Sequence, residues 1–117
     1  MILKEMVYGE YMVNQMLAMG THKGHDYVVK SYGTHPCCYV SIPNGKAVNT
    51  DDIYCHGGVT WSDKYVPNEE PVPGVWWIGW DYSHCDDRCG MIWKGKEWTA
   101  EELEAECIDV IDRMEVD

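Results

Sequence analysis

Apolar positions recur along this chain with two different periods. Over residues 2–19, Ile2, Met6, Val13, Met16 and Leu17 fall near one face at helical spacing, and Gly20 stands where a helix would stop. The spacing predicts an N-terminal helix, with Gly9 its weak point. His22-Lys23-Gly24-His25 is a connector. The period then shortens. Residues 27–32 (Tyr-Val-Val-Lys-Ser-Tyr) and 37–42 (Cys-Cys-Tyr-Val-Ser-Ile) are β-branched and aromatic, which predicts two strands joined through Gly33-Thr34-His35-Pro36 as a hairpin. Residues 44–52 are a polar loop. Residues 53–62 predict a third strand interrupted by Gly57-Gly58, and 63–74, with Pro67, Pro71, Pro73 and Gly74, a surface loop.

Val75-Trp76-Trp77-Ile78-Gly79-Trp80 is apolar on both faces, the mark of a central strand. Residues 82–97 read as loop, with a short strand at Met91-Ile92-Trp93. The last element is a helix over 99–115. Thr99 and Glu102 form a capping box, Leu103, Cys107, Val110, Ile111 and Met114 make its apolar stripe, and Glu101, Glu104, Glu106, Asp109, Asp112 and Glu115 its outer face. The expected fold is α+β: one domain, 1–117, with an antiparallel sheet of about four strands between an N-terminal and a C-terminal helix. Its parts are the helix 2–19, the sheet and metal-site loops 26–93, and the acidic helix 99–115.

Composition adds two constraints. The chain has 117 residues and a formal charge of −11, with no Phe but six Trp, eight Tyr and seven Met. Such a charge repels nucleic acid and anionic membranes and favours basic protein partners or cations. The Trp and Tyr polar atoms need partners when buried, which places several of them at a site or interface. The chain opens without a basic n-region and apolar run, and no stretch approaches the roughly 20 apolar residues of a membrane span. A cytoplasmic protein with reduced cysteines is expected.

Candidate metal ligands fall in three patches: His35 with Cys37 and Cys38; Cys55-His56-Gly57-Gly58; and Asp81 through Asp87 with Cys89. Zinc takes four ligands from Cys, His and carboxylate, commonly from separate elements that converge at one end of a fold. His56 beside a Gly-Gly, Asp81 and His84 after the central strand, and His35 in the hairpin turn make such a set. No C-x-x-C pair is present. Cys107 belongs to the helix stripe, Cys37 and Cys38 must point to opposite faces of their strand, and only one of Cys55 and His56 is expected to face a site. Asp86 or Asp87 offers a general base for a metal hydrolase. Neither H-E-x-x-H nor H-x-E with P-C-x-x-C occurs, so a structural site is favoured and no catalytic residue is assigned.

Three segments carry a resemblance. Residues 35–40 (His-Pro-Cys-Cys-Tyr-Val), 55–62 (Cys-His-Gly-Gly-Val-Thr-Trp-Ser) and 76–84 (Trp-Trp-Ile-Gly-Trp-Asp-Tyr-Ser-His) with Asp87 resemble a family of small phage and prophage proteins. Its pattern runs H-x-C-x-Y-V, H-G-G-[LV]-T-[YW]-S and W-W-x-G-[FW]-D-x-x-H-x-x-D. The likeness covers about residues 26–88 and a C-terminal helix, and it maps His35, His56, Asp81, His84 and Asp87 onto motif positions. It implies a phage product acting in the host cytoplasm. It leaves His35, His56, Asp81 and His84 as the zinc ligands, with Asp87, Cys37 and Cys85 as further ligands or their supports.

Most members of that family have no assigned function. In size, charge and expected zinc content the chain is also similar to metagenomic anti-CRISPR proteins that inhibit type II-A effector nucleases, an analogy and not a motif match. The expected function is inhibition of such a nuclease, whose nucleic-acid channels are lined by Lys and Arg. Glu101, Glu104, Asp109, Asp112 and Trp61 are the expected contacts, with no direct nucleic-acid or membrane binding. The alternatives are a small zinc hydrolase acting on a nucleotide or signalling molecule, and a nucleotide-sequestering protein that stacks a base on its Trp residues.

Overall fold

Five antiparallel strands make one sheet in the order β1-β2-β3-β5-β4: β1 Gln15–His22, β2 His25–Ser31, β3 Pro36–Ile42, β4 Trp61–Asp63 and β5 Trp76–Asp81. One helix, α1 (Ala100–Met114), packs across β1, β2 and β3. This is a computed structural model, and it describes residues 15–31, 35–43, 53–67, 69–82 and 98–114.

The α+β class holds, but the N-terminal element differs from the expectation. Residues 15–19 lie in β1, not in a helix; the rest of the expected helix, 1–14, lies outside the described residues. Two local features account for the difference. A bulge between Met16 and Ala18 turns both Leu17 and Ala18 inward, breaking the alternation that marks a strand. The connector is a two-residue hairpin turn in which Lys23 and Gly24 both have positive φ, 50° and 82°, as a type I′ turn requires. Gly20, read as a helix stop, instead lies directly opposite Tyr27, whose ring leaves no room there for a Cβ.

The remaining elements follow the sequence more closely. β2, β3 and β5 form where expected, and β5 is interior, between β3 and β4. The expected third strand over 53–62 shrinks to β4. The short strand at 91–93 lies outside the described residues.

α1 begins as the capping box predicts. The Glu102 amide donates to Thr99 Oγ1 at 3.2 Å, and the Thr99 amide to Glu102 Oε1 at 3.1 Å. Trp98 and Leu103 occupy the two positions of a hydrophobic staple and share one cluster. Leu103, Cys107, Val110 and Ile111 are fully buried against Leu17, Val29, Cys38, Val40, Ile78 and Trp80. Each large aliphatic chain in that stripe contributes about 1.5–3 kcal/mol. Polar clips fasten the helix to the first hairpin: Tyr27 Oη donates to Glu104 Oε2 (2.8 Å), and Asp112 Oδ1 accepts from both Lys23 Nζ and His22 Nε2 (2.8 Å each).

The other face of the sheet is also covered, by the 64–75 segment that joins β4 to β5. Val66 packs there against Val28, Cys37 and Tyr39. That covering is why every residue of β3 is buried, and why Cys37 and Cys38 both lie inside although they point to opposite faces.

Candidate functional site

The three motif segments converge on one cavity. It measures about 200 Å³ and is lined by His35, Cys37 and Tyr39 from the first segment, Thr60 and Trp61 from the second, and Trp80 and Asp81 from the third. The sheet register brings this about. Cys37 stands opposite Asp81 and Tyr39 opposite Gly79, while Trp61 stands opposite Gly79 from the other side. Gly79 is thus flanked by two aromatics, and a Cβ there would strike the Tyr39 ring and lie 3.0 Å from the Cys38 carbonyl.

The polar groups are held from several directions. Thr60 Oγ1 donates to Asp81 Oδ2 (3.1 Å), and the Thr60 amide to the Gly79 carbonyl (2.9 Å), tying the approach to β4 onto β5. Trp61 Nε1 donates to the Tyr65 carbonyl (2.8 Å) with its ring edge-on to Tyr65. His35 Nδ1 lies 3.6 Å from Cys37 Sγ and 3.2 Å from the Pro36 carbonyl oxygen. Burial pushes the Cys37 thiol up to about 12; a hydrogen bond with Tyr39 opposes the shift and the Asp81 charge adds to it.

Of the expected zinc ligands, the structure brings His35 and Asp81 to this cavity together with Cys37. His56 is placed elsewhere. A turn closed by the Gly58 amide on the Cys55 carbonyl (3.1 Å), with Gly57 at φ 71°, presents the His56 ring to Tyr82. The rings stack at 4.5 Å and 9°, and Trp98 meets His56 edge-on at 5.0 Å. Tyr82 belongs to the helix-side core, as does Cys55, which packs against it. Burial raises the Tyr82 hydroxyl well above its usual range, and lifts the Cys55 thiol to about 12 with help from the Glu106 charge. His84, Cys85 and Asp87 lie outside the described residues.

A pair of ligands on a tetrahedral zinc, with Zn–S about 2.3 Å and Zn–N about 2.0–2.1 Å, stands about 3.5 Å apart. The His35–Cys37 separation meets that spacing. Among the described residues no group of three His, Cys, Asp or Glu side chains is placed to share a metal. The donor pair fits zinc, and it needs ligands from beyond the described residues to complete a site.

The expected partner contacts divide as well. Glu104 and Asp112 are engaged by the hairpin, while Glu101 and Asp109 are exposed on α1. Trp61 is half-buried at the cavity, and Trp80, 1% exposed, donates to Tyr82 Oη. Sequence reasoning missed Thr60 as a partner of Asp81, although the T-[YW]-S segment contains it. It also missed a groove on the sheet face opposite α1, lined by Met16, Met19, Asp26, Val66, Glu69 and Glu70 among others. No helix of the described residues is long and apolar enough to cross a membrane.

Comparison with known proteins yields no match: no family model, no curated protein and no solved structure matches the chain.

Proposed function

We propose that this chain is a binding protein, not a catalyst, that docks on a basic protein surface. By analogy with acidic anti-CRISPR proteins of similar size and charge, that partner is a host defence nuclease of the type II-A CRISPR class, whose nucleic-acid handling it blocks. The observation that carries the reading is the surplus of carboxylates. Twenty acids face nine bases, so full internal pairing would still leave eleven carboxylates over. Lys23 pairs with Asp112, Lys30 with Glu69 and Arg113 with Glu106. Glu101 and Asp109 on α1, and Asp26 and Glu70 on the far face, project to solvent. A surface of that sign steers fast, salt-sensitive association with a Lys/Arg-lined channel.

His35 and Cys37, with Asp81 and the motif's His84, are the residues that would hold zinc. Bound there, zinc would cross-link the start of β3 to the chain leaving β5. The chain's own residues already prepare that end: Thr60 holds Asp81, and the Tyr82 amide donates to the Pro36 carbonyl (3.1 Å).

The test is target-DNA binding by a type II-A effector nuclease with this protein in excess, at low and high salt. Co-purification and loss of DNA binding at low salt, relieved by salt and weakened in Glu101→Lys/Asp109→Lys, are expected. Undisturbed DNA binding at saturating protein in low salt would sink the proposal.

A further inference from the structure

A groove of about 330 Å³ lies on the sheet face opposite α1, between the β1–β2 hairpin and the 64–75 segment. Its floor is apolar, with Met16, Val28, Val66 and Trp77. Its lips are apolar too, and open: Met19 is 67% exposed and Val72 54%. Around them stand Asp26, Glu69 and Glu70, and among the described residues no basic one lines it. Lys30 lies beneath, 1% exposed, with its charge directed to Glu69 Oε2 (2.9 Å) and the Pro67 carbonyl (3.2 Å). Asp26 accepts from Thr21 Oγ1 (2.7 Å). One positive charge against three negative ones leaves the groove acidic.

We infer that this groove binds a segment of a basic partner protein, with apolar side chains on its floor and Lys or Arg heads at Asp26, Glu69 and Glu70. The inference rests on the reading of the chain as a binder of basic proteins and names where such a partner enters. Long basic side chains match both features at once, since their methylene stems lie along apolar surface while the charged head reaches a carboxylate. Exposed apolar side chains rimmed by polar groups mark interaction sites, and flexible Met side chains adapt to varied partners. Nucleic acid has the wrong sign for this rim. So has a second copy of the chain, itself at −11. β1 is moreover an edge strand of the described sheet, so an extended segment can approach the groove along it.

The test uses the full chain carrying ¹³C-methyl methionine, titrated with a synthetic peptide of alternating Arg and Leu and with its Glu/Leu counterpart. Saturable shifts of the Met16 and Met19 methyls by the Arg/Leu peptide alone are expected, with affinity at least ~10-fold weaker in Glu70→Lys/Asp26→Lys and reduced in Val72→Ser. No methyl shifts, equal binding of the Glu/Leu peptide, or methyl contacts to residues 1–14 that fill the groove from within the chain would each overturn it. Nuclease inhibition that persists undiminished in Glu70→Lys/Asp26→Lys would also overturn the groove while leaving the proposed function intact. Peptide binding with no effect on the nuclease would support the groove and remove the nuclease.

Discussion

Lys30 and Glu69 form an ion pair of unequal burial: Lys30 is 1% exposed, whereas the Glu69 side chain keeps 41% of its surface in water, with Nζ and Oε2 at 2.9 Å. This pair and the Pro67 carbonyl hold the 64–75 segment over the sheet face that carries Cys37 and Tyr39.

The asymmetry predicts unequal costs for removing either partner. Glu69→Ala leaves a cation buried with a weaker set of acceptors, and should destabilise by about 1–3 kcal/mol. Lys30→Met leaves a carboxylate that can turn to water and an apolar chain of similar length against Val66, and should cost less. Urea unfolding of the two variants checks the order. A larger loss in Lys30→Met would show that the lysine's value lies in its full bonding set and not in the pair.

Gly79 and Tyr39 make a second coupled pair. The Tyr39 ring occupies the space above Gly79, with Cε1 2.7 Å from where a Cβ would stand. Gly79→Ala should therefore destabilise by about 1–3 kcal/mol through overpacking. Tyr39→Leu should recover part of that loss in the double variant, since contacting sites couple. Additive costs in thermal unfolding would contradict the ring-over-glycine arrangement.

Gly79 and Gly20, each facing a ring on the neighbouring strand, also mark where the sequence could be read and where it could not. The capping box at Thr99 and Glu102 and the stripe Leu103, Cys107, Val110 and Ile111 are local signals, and α1 follows them. β2, β3 and β5 were legible from β-branched and aromatic runs bounded by turn residues. β1 was not. Met16, Leu17, Ala18 and Met19 favour helices by propensity, the bulge removes the period of two, and Gly20 serves a ring on the next strand, a contact no local pattern reveals. The candidate site was legible as three patches but not as an arrangement. Side-chain alternation sends Asp81 to one face of the sheet and Tyr82 to the other, so His56, stacked on Tyr82, parts from His35 and Asp81.

Alkaline pH offers a probe of the helix–hairpin clip. Burial and the Glu104 carboxylate raise the Tyr27 hydroxyl from 10.0 to about 12, because a phenolate there would be desolvated beside a negative charge. A pKa raised on folding contributes stability that is fully present below about pH 10 and is lost as pH rises through about 12. Tyr27→Phe should cost about 1 kcal/mol at neutral pH for the lost hydrogen bond. It should also flatten the fall in stability over that alkaline window. Cys37 and Cys55 contribute to the same slope, so the readout is the difference between wild type and variant in urea midpoint against pH. Parallel curves would mean that Tyr27 titrates alike in the folded and unfolded chain.

The two motif histidines should part company in metal analysis. His35 has a sulfur donor at 3.6 Å and Asp81 on the same cavity, so His35→Ala should lower the zinc content of the purified protein. His56 is held by ring contacts with Tyr82 and Trp98. His56→Ala should leave zinc content near wild type while lowering the melting temperature, the lost stack alone being worth about 0.5–1.5 kcal/mol. His56→Phe keeps a flat ring against Tyr82 and should restore part of the melting temperature, which a lost ligand would not allow. Loss of zinc in both His56 variants with full retention in His35→Ala would reverse the assignment and place the metal on the helix side of the sheet.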